Sequence, residues 1–395
     1  MATLLASAIV VEATPLAGDK VQGELAGISA ESLQIATADG VRQLPLTGLK
    51  SVSIAGATPS SQSGEIAVEL IDGSQLRVER YQVAKGEVTV GAGDMSLTGP
   101  ANTVKWVRFR SLEKEPAIQQ GWDQLLQREF AGDCLAFTKE VDGALVLERL
   151  EGAVGAIDDQ VVEFTYQGDT LRPKRERVLG LIYLVAKRDI GATVGSVLLK
   201  DGSTLAASSL ELAGDKLRVT TGSGWTAELP ADRLLGLDFG SSNITYLSDL
   251  KPTTVEVEPY YGATLDSERQ TYLPRMDEDH HGAPLKLVDQ APALKGLALR
   301  SRTKLVYRFD KPYKRLRAMA GIAEHVRNSV VSPHLVLSIS SDRKKLLERD
   351  VTGDDAPFEI DLDLEGVQRL TIVVDYGKSQ DVADFLQLCN ARLTK

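Results

Sequence analysis

The chain repeats itself before Gly240, and any fold must accommodate that repeat. The segment LIDGSQLRVERYQVAKGEVTV (Leu70 to Val90) aligns with LKDGSTLAASSLELAGDKLRV (Leu199 to Val219). Asp72-Gly73-Ser74 matches Asp201-Gly202-Ser203, and Ala84 matches Ala213 at the same spacing. Each copy closes on an apolar alternation, VKWVRF ending at Phe109 and LLGLDF ending at Phe239. Two weaker copies fit the same frame and end at Ile54 and Tyr183; Ile35 to Ile54 and Phe164 to Tyr183 span the same distance.

Each copy reads as four or five short strands. Asp-Gly and Gly-Asp pairs separate alternating runs, at positions where a tight hairpin needs positive φ. Pro45, Pro173 and Pro230 fall at the approach to the last strand, a place that tolerates a missing N–H. This layout predicts small SH3-like or Sm-like barrels, with half of a larger β-sandwich as the alternative. Units this small bury little surface alone, so neighbours must pack together or pair into larger cores.

The predicted organisation is β repeats over 1–56, 64–110, 133–184 and 195–240, with a separate domain over 241–395. A helical insert is predicted over 111–132. There Ile118, Trp122, Leu125, Leu126 and Glu129 share a helical face, with Pro116 in the first turn. Trp122 is expected as a core or interface anchor. The stretch GATPSSQSG (Gly56 to Gly64) is a linker by composition.

Chemistry-bearing motifs are missing from the sequence. There is no Gly-x-Ser-x-Gly elbow, His-Glu-x-x-His pair, Walker loop, Cys-x-x-Cys or Gly-x-Gly-x-x-Gly. The two cysteines, Cys134 and Cys389, form no disulfide framework. A net charge of −10 argues against broad nucleic-acid binding, which needs a cationic footprint. No run of apolar residues is long enough to span a membrane. MATLLASAIVVEATP reads either as a leader shortened by a wrong start site or as an opening strand; no basic residue precedes Lys20. MDEDHHGAP collects acids and two histidines, but adjacent residues on extended chain point to opposite sides, so His280 and His281 do not share one ion. The reading is a protein without cofactor or metal, and not an enzyme.

Beyond Gly240 the repeat stops and strand-like alternation continues. HLVLSIS and FEIDLDLEGVQRLTIVVDYG set apolar residues on one face, as in a β-sandwich of jelly-roll type. YLSDLKP, LKGLALRSRTKLVYRFDKPYKRLRAMAGI, LLERDVTGDDAPFEIDLDLEGVQRLTIVVDYG and DFLQLCNARL, in that order, resemble the NPCBM family of carbohydrate-binding modules. The resemblance covers roughly residues 243 to 395 and implies a galactose-binding-like jelly roll. Members often accompany glycoside hydrolases, and others occur in exported bacterial proteins without a catalytic domain. Three departures fall on the loops that would hold sugar: Ala323 stands after AGI, Arg300 and Ser301 follow the KGL strand, and Gln387 and Cys389 stand near the end.

All three tryptophans, Trp106, Trp122 and Trp225, precede this domain, so a sugar-stacking surface there must use tyrosine. The candidate ligand-binding residues are Tyr260, Tyr261, Tyr272, Asp277, His280, Arg300 and Arg302. One functional reading is a non-catalytic glycan-binding protein of the bacterial envelope, exported, with the repeats as spacer or docking array. A second is a structural protein that binds a protein partner and no sugar. A third is a hydrolase with an unrecognised site.

The basic stretch KGLALRSRTKLVYRFDKPYKRLRA (Lys295 to Ala318) alternates an apolar parity with Arg300, Arg302, Lys304 and Arg308. Glu359, Asp361, Asp363 and Glu365 show the complementary pattern. Arg300, Arg302, Lys304 or Arg308 is expected to pair with some of these acids, across strands or through a bent sheet, which largely neutralises the basic row and argues against a nucleic-acid surface.

Overall fold

In a computed structural model, residues 9–60, 64–93, 95–186, 190–262, 270–327, 329–342 and 344–395 are described. The chain divides into a unit over Met1–Ser242 and a unit over Asn243–Lys395. The leader-or-strand alternative for residues 1–13 falls partly outside the described residues, and so does part of the 56–64 linker.

The first unit is built from the same element order four times. The first copy runs β1 (Val10–Pro15), β2 (Val21–Ile28), β3 (Ser32–Thr37), β4 (Gly40–Pro45), a 3-10 turn (Leu46–Gly48) and β5 (Leu49–Ile54). The second runs β6 (Ile66–Leu70), β7 (Gln75–Val78), β8 (Arg80–Ala84), β9 (Glu87–Ala92), β10 (Met95–Pro100), a turn (Ala101–Thr103) and β11 (Val104–Arg108). Only Glu79 separates β7 from β8, so they act as one bent strand.

The third copy runs β12 (Asp133–Val141), β13 (Ala144–Ile157), β14 (Val162–Tyr166), β15 (Asp169–Leu171), a turn (Arg175–Arg177) and β16 (Val178–Ile182). The fourth runs β17 (Gly195–Leu199), β18 (Thr204–Ala213), β19 (Lys216–Thr221), β20 (Thr226–Pro230), a turn (Ala231–Arg233) and β21 (Leu234–Asp238). In every copy the last strand pairs antiparallel with the first, as in Val11↔Ile54, Val107↔Val68, Leu135↔Leu181 and Val197↔Leu237.

Pro45, Pro100 and Pro230 end the fourth strand and cap the 3-10 turn, with φ of −64°, −66° and −60°. The ring imposes that angle, and the turn needs no N–H there. Pro100, not Pro173, is the counterpart in register with Pro45 and Pro230; Pro173 is separated from its turn by Lys174.

The copies join by strand pairing in the order third, second, fourth, first. β11 pairs β16 (Val107↔Leu181), β10 pairs β20 (Leu97↔Ala227) and β21 pairs β5 (Leu237↔Val52). All four share one contiguous apolar core, including Val11, Leu70, Leu135 and Leu237. The matched Asp-Gly-Ser triplets form the clasp between the second and fourth copies. Gly73 and Gly202 adopt φ of 86° and 85°, and Asp72 and Asp201 accept the Ser74 and Ser203 amides at 2.9 and 2.8 Å. The buried Ser74 hydroxyl then accepts the Ala206 N–H at 2.9 Å, and the buried Ser203 hydroxyl accepts the Arg77 N–H at 2.9 Å. Trp225 crosses the same junction, fully buried, and donates Nε1–H to Thr103 Oγ1 at 2.8 Å.

The insert forms α1 (Pro116–Leu126), which buries Ile118, Trp122 and Leu125 against Cys134, Ala136, Leu179 and Ile182. Gly180 leaves room for the Trp122 ring; a Cβ there would sit 2.7 Å from it. Trp122 is therefore a core anchor. Glu129 lies beyond the helix end and is exposed, contrary to the helical-face expectation.

The second unit is an antiparallel β-sandwich. Its strands are β22 (Ile244–Tyr246), β23 (Thr254–Val257), β24 (Arg275–Met276), β25 (Gly296–Arg300), β26 (Thr303–Arg308), β27 (Arg315–Ile322), β28 (His334–Ser341), β29 (Lys345–Thr352), β30 (Phe358–Asp363), β31 (Arg369–Tyr376) and β32 (Phe385–Thr394). One sheet runs β24-β25-β32-β27-β30, with β22 also on β32; the other runs β23-β26-β31-β28-β29. The apolar parity of the basic stretch, Leu297, Leu299, Leu305 and Tyr307, lies in the core with Leu335, Leu337, Ile360, Ile372 and Val374.

The charge pairing differs from expectation. Lys304 meets Glu256 at 3.0 Å, and Arg302 meets Glu258 at 3.1 Å and Asp375 at 3.8 Å. Arg308 lies across from Arg369. Asp361 pairs instead with Arg315 at 2.7 Å and Arg317 at 3.3 Å. The reason is sheet assignment: β26 and β30 belong to opposite sheets, so their polar faces point away from each other.

Candidate functional site

Three loops of the sandwich meet around one buried carboxylate. Asp381, only 6% exposed, lies between β31 and β32. Its Oδ2 accepts the Tyr260 N–H at 3.0 Å and the Tyr272 O–H at 3.0 Å. Gln380 and Ala383 flank it with φ of 61° each, which bends this loop toward the tyrosines. Gln380 Oε1 accepts the Tyr261 hydroxyl at 2.7 Å. The Tyr260 ring stands edge-to-face against Tyr261 at 5.1 Å and Tyr376 at 5.2 Å. Tyr376 donates its hydroxyl to the Glu258 carbonyl. Tyr260 is 48% exposed and Tyr261 79% exposed, so these two rings form an open aromatic edge on a fixed base.

Tyr272 is half-buried, and the Arg300 guanidinium lies over its ring at 3.8 Å and over Phe385 at 4.6 Å. Such stacking suits a planar, weakly hydrated cation. Burial raises the Tyr272 hydroxyl, and the Asp381 carboxylate adds to that. His280 stacks edge-on against Phe385 at 5.2 Å. Burial, with the nearby Arg300 and Arg275 charges, pushes it down to about 4, so it is neutral at pH 7.

Asp384 is fully buried behind the edge. It accepts the Ser301 hydroxyl at 2.7 Å and the His334 N–H at 3.0 Å, and burial pushes it up to about 6. His334 accepts the Lys378 N–H at Nδ1, 2.7 Å away. Together these bonds tie the 301, 334 and 378–384 segments into one support.

The seven sequence candidates thus separate. Tyr260, Tyr261 and Tyr272 are brought together through the Asp381–Gln380 loop. Arg300 and His280 pack on the inner side around Phe385. Arg302 is engaged with Glu258 and Asp375 beside Tyr376. Asp277 takes no part in the aromatic edge: its oxygens accept Lys295 Nζ at 2.8 Å and the Gly296 N–H at 3.0 Å. Burial pushes the Asp277 carboxyl up, but hydrogen bonds from Lys295 and Gly296 outweigh this and hold it below its ordinary value. Among the described residues no group of three or more His, Cys, Asp or Glu side chains could hold a metal ion.

Sequence reasoning missed Tyr376, Gln380, Asp381, Asp384 and Phe385. The available signal was the Gly-Lys-Ser-Gln-Asp run between two strands, which marks a loop but not its partner.

This geometry defines an antiparallel β-sandwich with exposed aromatics at one loop edge. Residues 244–394 match the family model of the NPCBM/NEW2 domain. No curated protein matches the chain. Among solved structures, the chain is similar to a Clostridium perfringens CBM51 from GH95 in complex with methyl-galactose, at 18% identity, covering 38% of this chain and 99% of that one, with a TM-score of 0.33. It is similar to the tandem CBM51 modules of a family 98 glycoside hydrolase from Streptococcus pneumoniae, at 14% identity, covering 83% and 88%, with a TM-score of 0.33. The CBM51-2 and INT domains of Clostridium perfringens ZmpB, in complex with GlcNAc, are similar at 18% identity, covering 52% and 38%, with a TM-score of 0.33. Among the described residues no helix is long and apolar enough to cross a membrane.

Proposed function

We propose that this protein is a non-catalytic glycan-binding protein of the bacterial envelope, exported, with the sandwich as ligand module. The four five-stranded copies, read as SH3-like or Sm-like units, serve as spacer or docking array. The observation that carries the reading is the pair Tyr260 and Tyr261, open to solvent yet fixed from below by Asp381 and Gln380. A pyranose face offers C–H groups that pack on an exposed aromatic ring. A ring already held in place loses little conformational entropy on binding. Tyr272, Arg300 and His280 support this edge, with Arg302 and Glu258 as the polar rim; Asp277 anchors the neighbouring loop.

The test is a glycan array with the full chain, followed by calorimetry on any ligand found. Tyr261→Ala is expected to weaken binding by roughly tenfold or more, since truncating a stacking aromatic removes on the order of 1–3 kcal/mol. Absence of binding to every glycan at high protein concentration would defeat the reading.

A second reading, a protein-interaction module, draws support from the pre-bonded Tyr261 hydroxyl, which leaves mainly apolar ring surface for a partner. One stoichiometric protein partner lost in Tyr261→Ala, with no glycan signal, would establish it instead.

A further inference from the structure

The hairpin of β12 and β13 is longer than the barrel-like copy that carries it. Its pairs run from Asp133↔Gly152 to Val141↔Ala144. β16 covers β12 only over Cys134–Phe137, and β14 joins β13 only from Ala153 onward. Among the described residues no strand flanks the segment from Ala144 to Gly152 on its outer edge. This overhang exposes apolar side chains: Val141 is 40%, Leu145 51% and Val146 40% exposed. Three other outer strands are blunted, β29 and β30 by charges and β15 by its length of three residues.

We infer that the outer edge of β13 pairs antiparallel with the same edge of a second copy of this chain, about a two-fold axis through Val146. Edge-to-edge pairing is already how the first unit assembles its own copies, through β11–β16, β5–β21 and β10–β20. The sequence of the edge selects the register. A two-fold perpendicular to a sheet keeps each residue on its own face, so the axis passes through a residue position. Centring on Glu148 opposes two glutamates, and centring on Arg149 opposes two arginines, both unfavourable. Centring on Leu147 sets Leu145 against Arg149 and Val146 against Glu148.

Centring on Val146 opposes Val146 with itself and Leu145 with Leu147 on both sides. The paired stretch then ends at Ala144↔Glu148. There the partner's Asp142-Gly143 turn begins, well before β14 joins at Ala153. Each copy covers the other's exposed Leu145 and Val146 without displacing an existing strand.

The experiment uses the full chain. Sedimentation velocity over a range of concentrations should show a reversible dimer. Val146→Lys places two like charges across the axis and should weaken dimerisation by roughly tenfold or more. The circular dichroism of Val146→Lys, taken at a dilution where the parent is monomeric, should match the parent; the site is exposed, and its facing residue Lys139 adds only a small like-charge cost. Val146→Cys should form a disulfide-linked dimer under mild oxidation; the native Cys134 and Cys389 are buried and should not. A monomer at all concentrations overturns the inference. So does a dimer that Val146→Lys leaves intact and Val146→Cys fails to cross-link.

Discussion

Asp384 and His280 pull stability in opposite directions with pH. Burial raises Asp384 from 3.8 to about 6, so the folded state binds this proton more tightly than the unfolded chain. Its contribution is fully present below pH 3.8 and is lost as pH rises through about 6. Burial lowers His280 from 6.5 to about 4, so the folded state binds that proton less tightly. Its contribution is present above pH 6.5 and is lost as pH falls through about 4. Each effect is on the order of 2–3 kcal/mol, and the windows overlap. The parent should therefore show a shallow pH dependence in this range. Denaturant melts from pH 4 to 7 should separate the two. Asp384→Asn should make stability rise with pH, and His280→Gln should make it fall. Two variants with the parent's flat profile would refute the assignment.

At the level of elements, the Asp-Gly-Ser hairpins carry the strongest prediction. Ser74→Ala leaves the buried Ala206 amide without an acceptor, and Ser203→Ala does the same to Arg77. An unsatisfied buried N–H costs about 1–3 kcal/mol. Each variant should lower the unfolding free energy from urea melts by that amount, whereas Ser53→Ala, at an exposed strand position, should leave it unchanged. The hairpins themselves were legible because glycine at positive φ leaves a local mark in sequence. Their role as a clasp was not, since Ser74 and Ala206 are 132 residues apart.

The same limit explains the sandwich. Alternation identified the buried faces of β25, β26, β30 and β31, because a strand's two faces are a local property. It could not say which sheet each strand joins. So the alternation matches Lys304 to the acids of β30, while its partner Glu256 lies on β23. Tyr260 and Tyr272 were legible as candidates; the Asp381 that joins them lies 121 and 109 residues away. Asp277 looked like a site residue because acids and histidines crowd its loop, yet its bonds serve the Lys295–Gly296 segment.

For the molecule as a whole, the order third, second, fourth, first has a mechanical consequence. β1 and β21 are both antiparallel to β5, so they run parallel to each other. Tension applied at the N-terminal end of β1 and the C-terminal end of β21 pulls these strands past β5 along their length. The ladders Val11↔Ile54 to Pro15↔Leu49 and Gly236↔Ser53 to Asp238↔Ser51 then bear load together, in shear, rather than opening one bond at a time. No single copy can be drawn off while β5 holds β21. Single-molecule pulling between these ends should give one high-force rupture for the first unit; four separate low-force steps would contradict it. A strand order fixed by pairing thus makes the repeat array resist being unravelled from its ends.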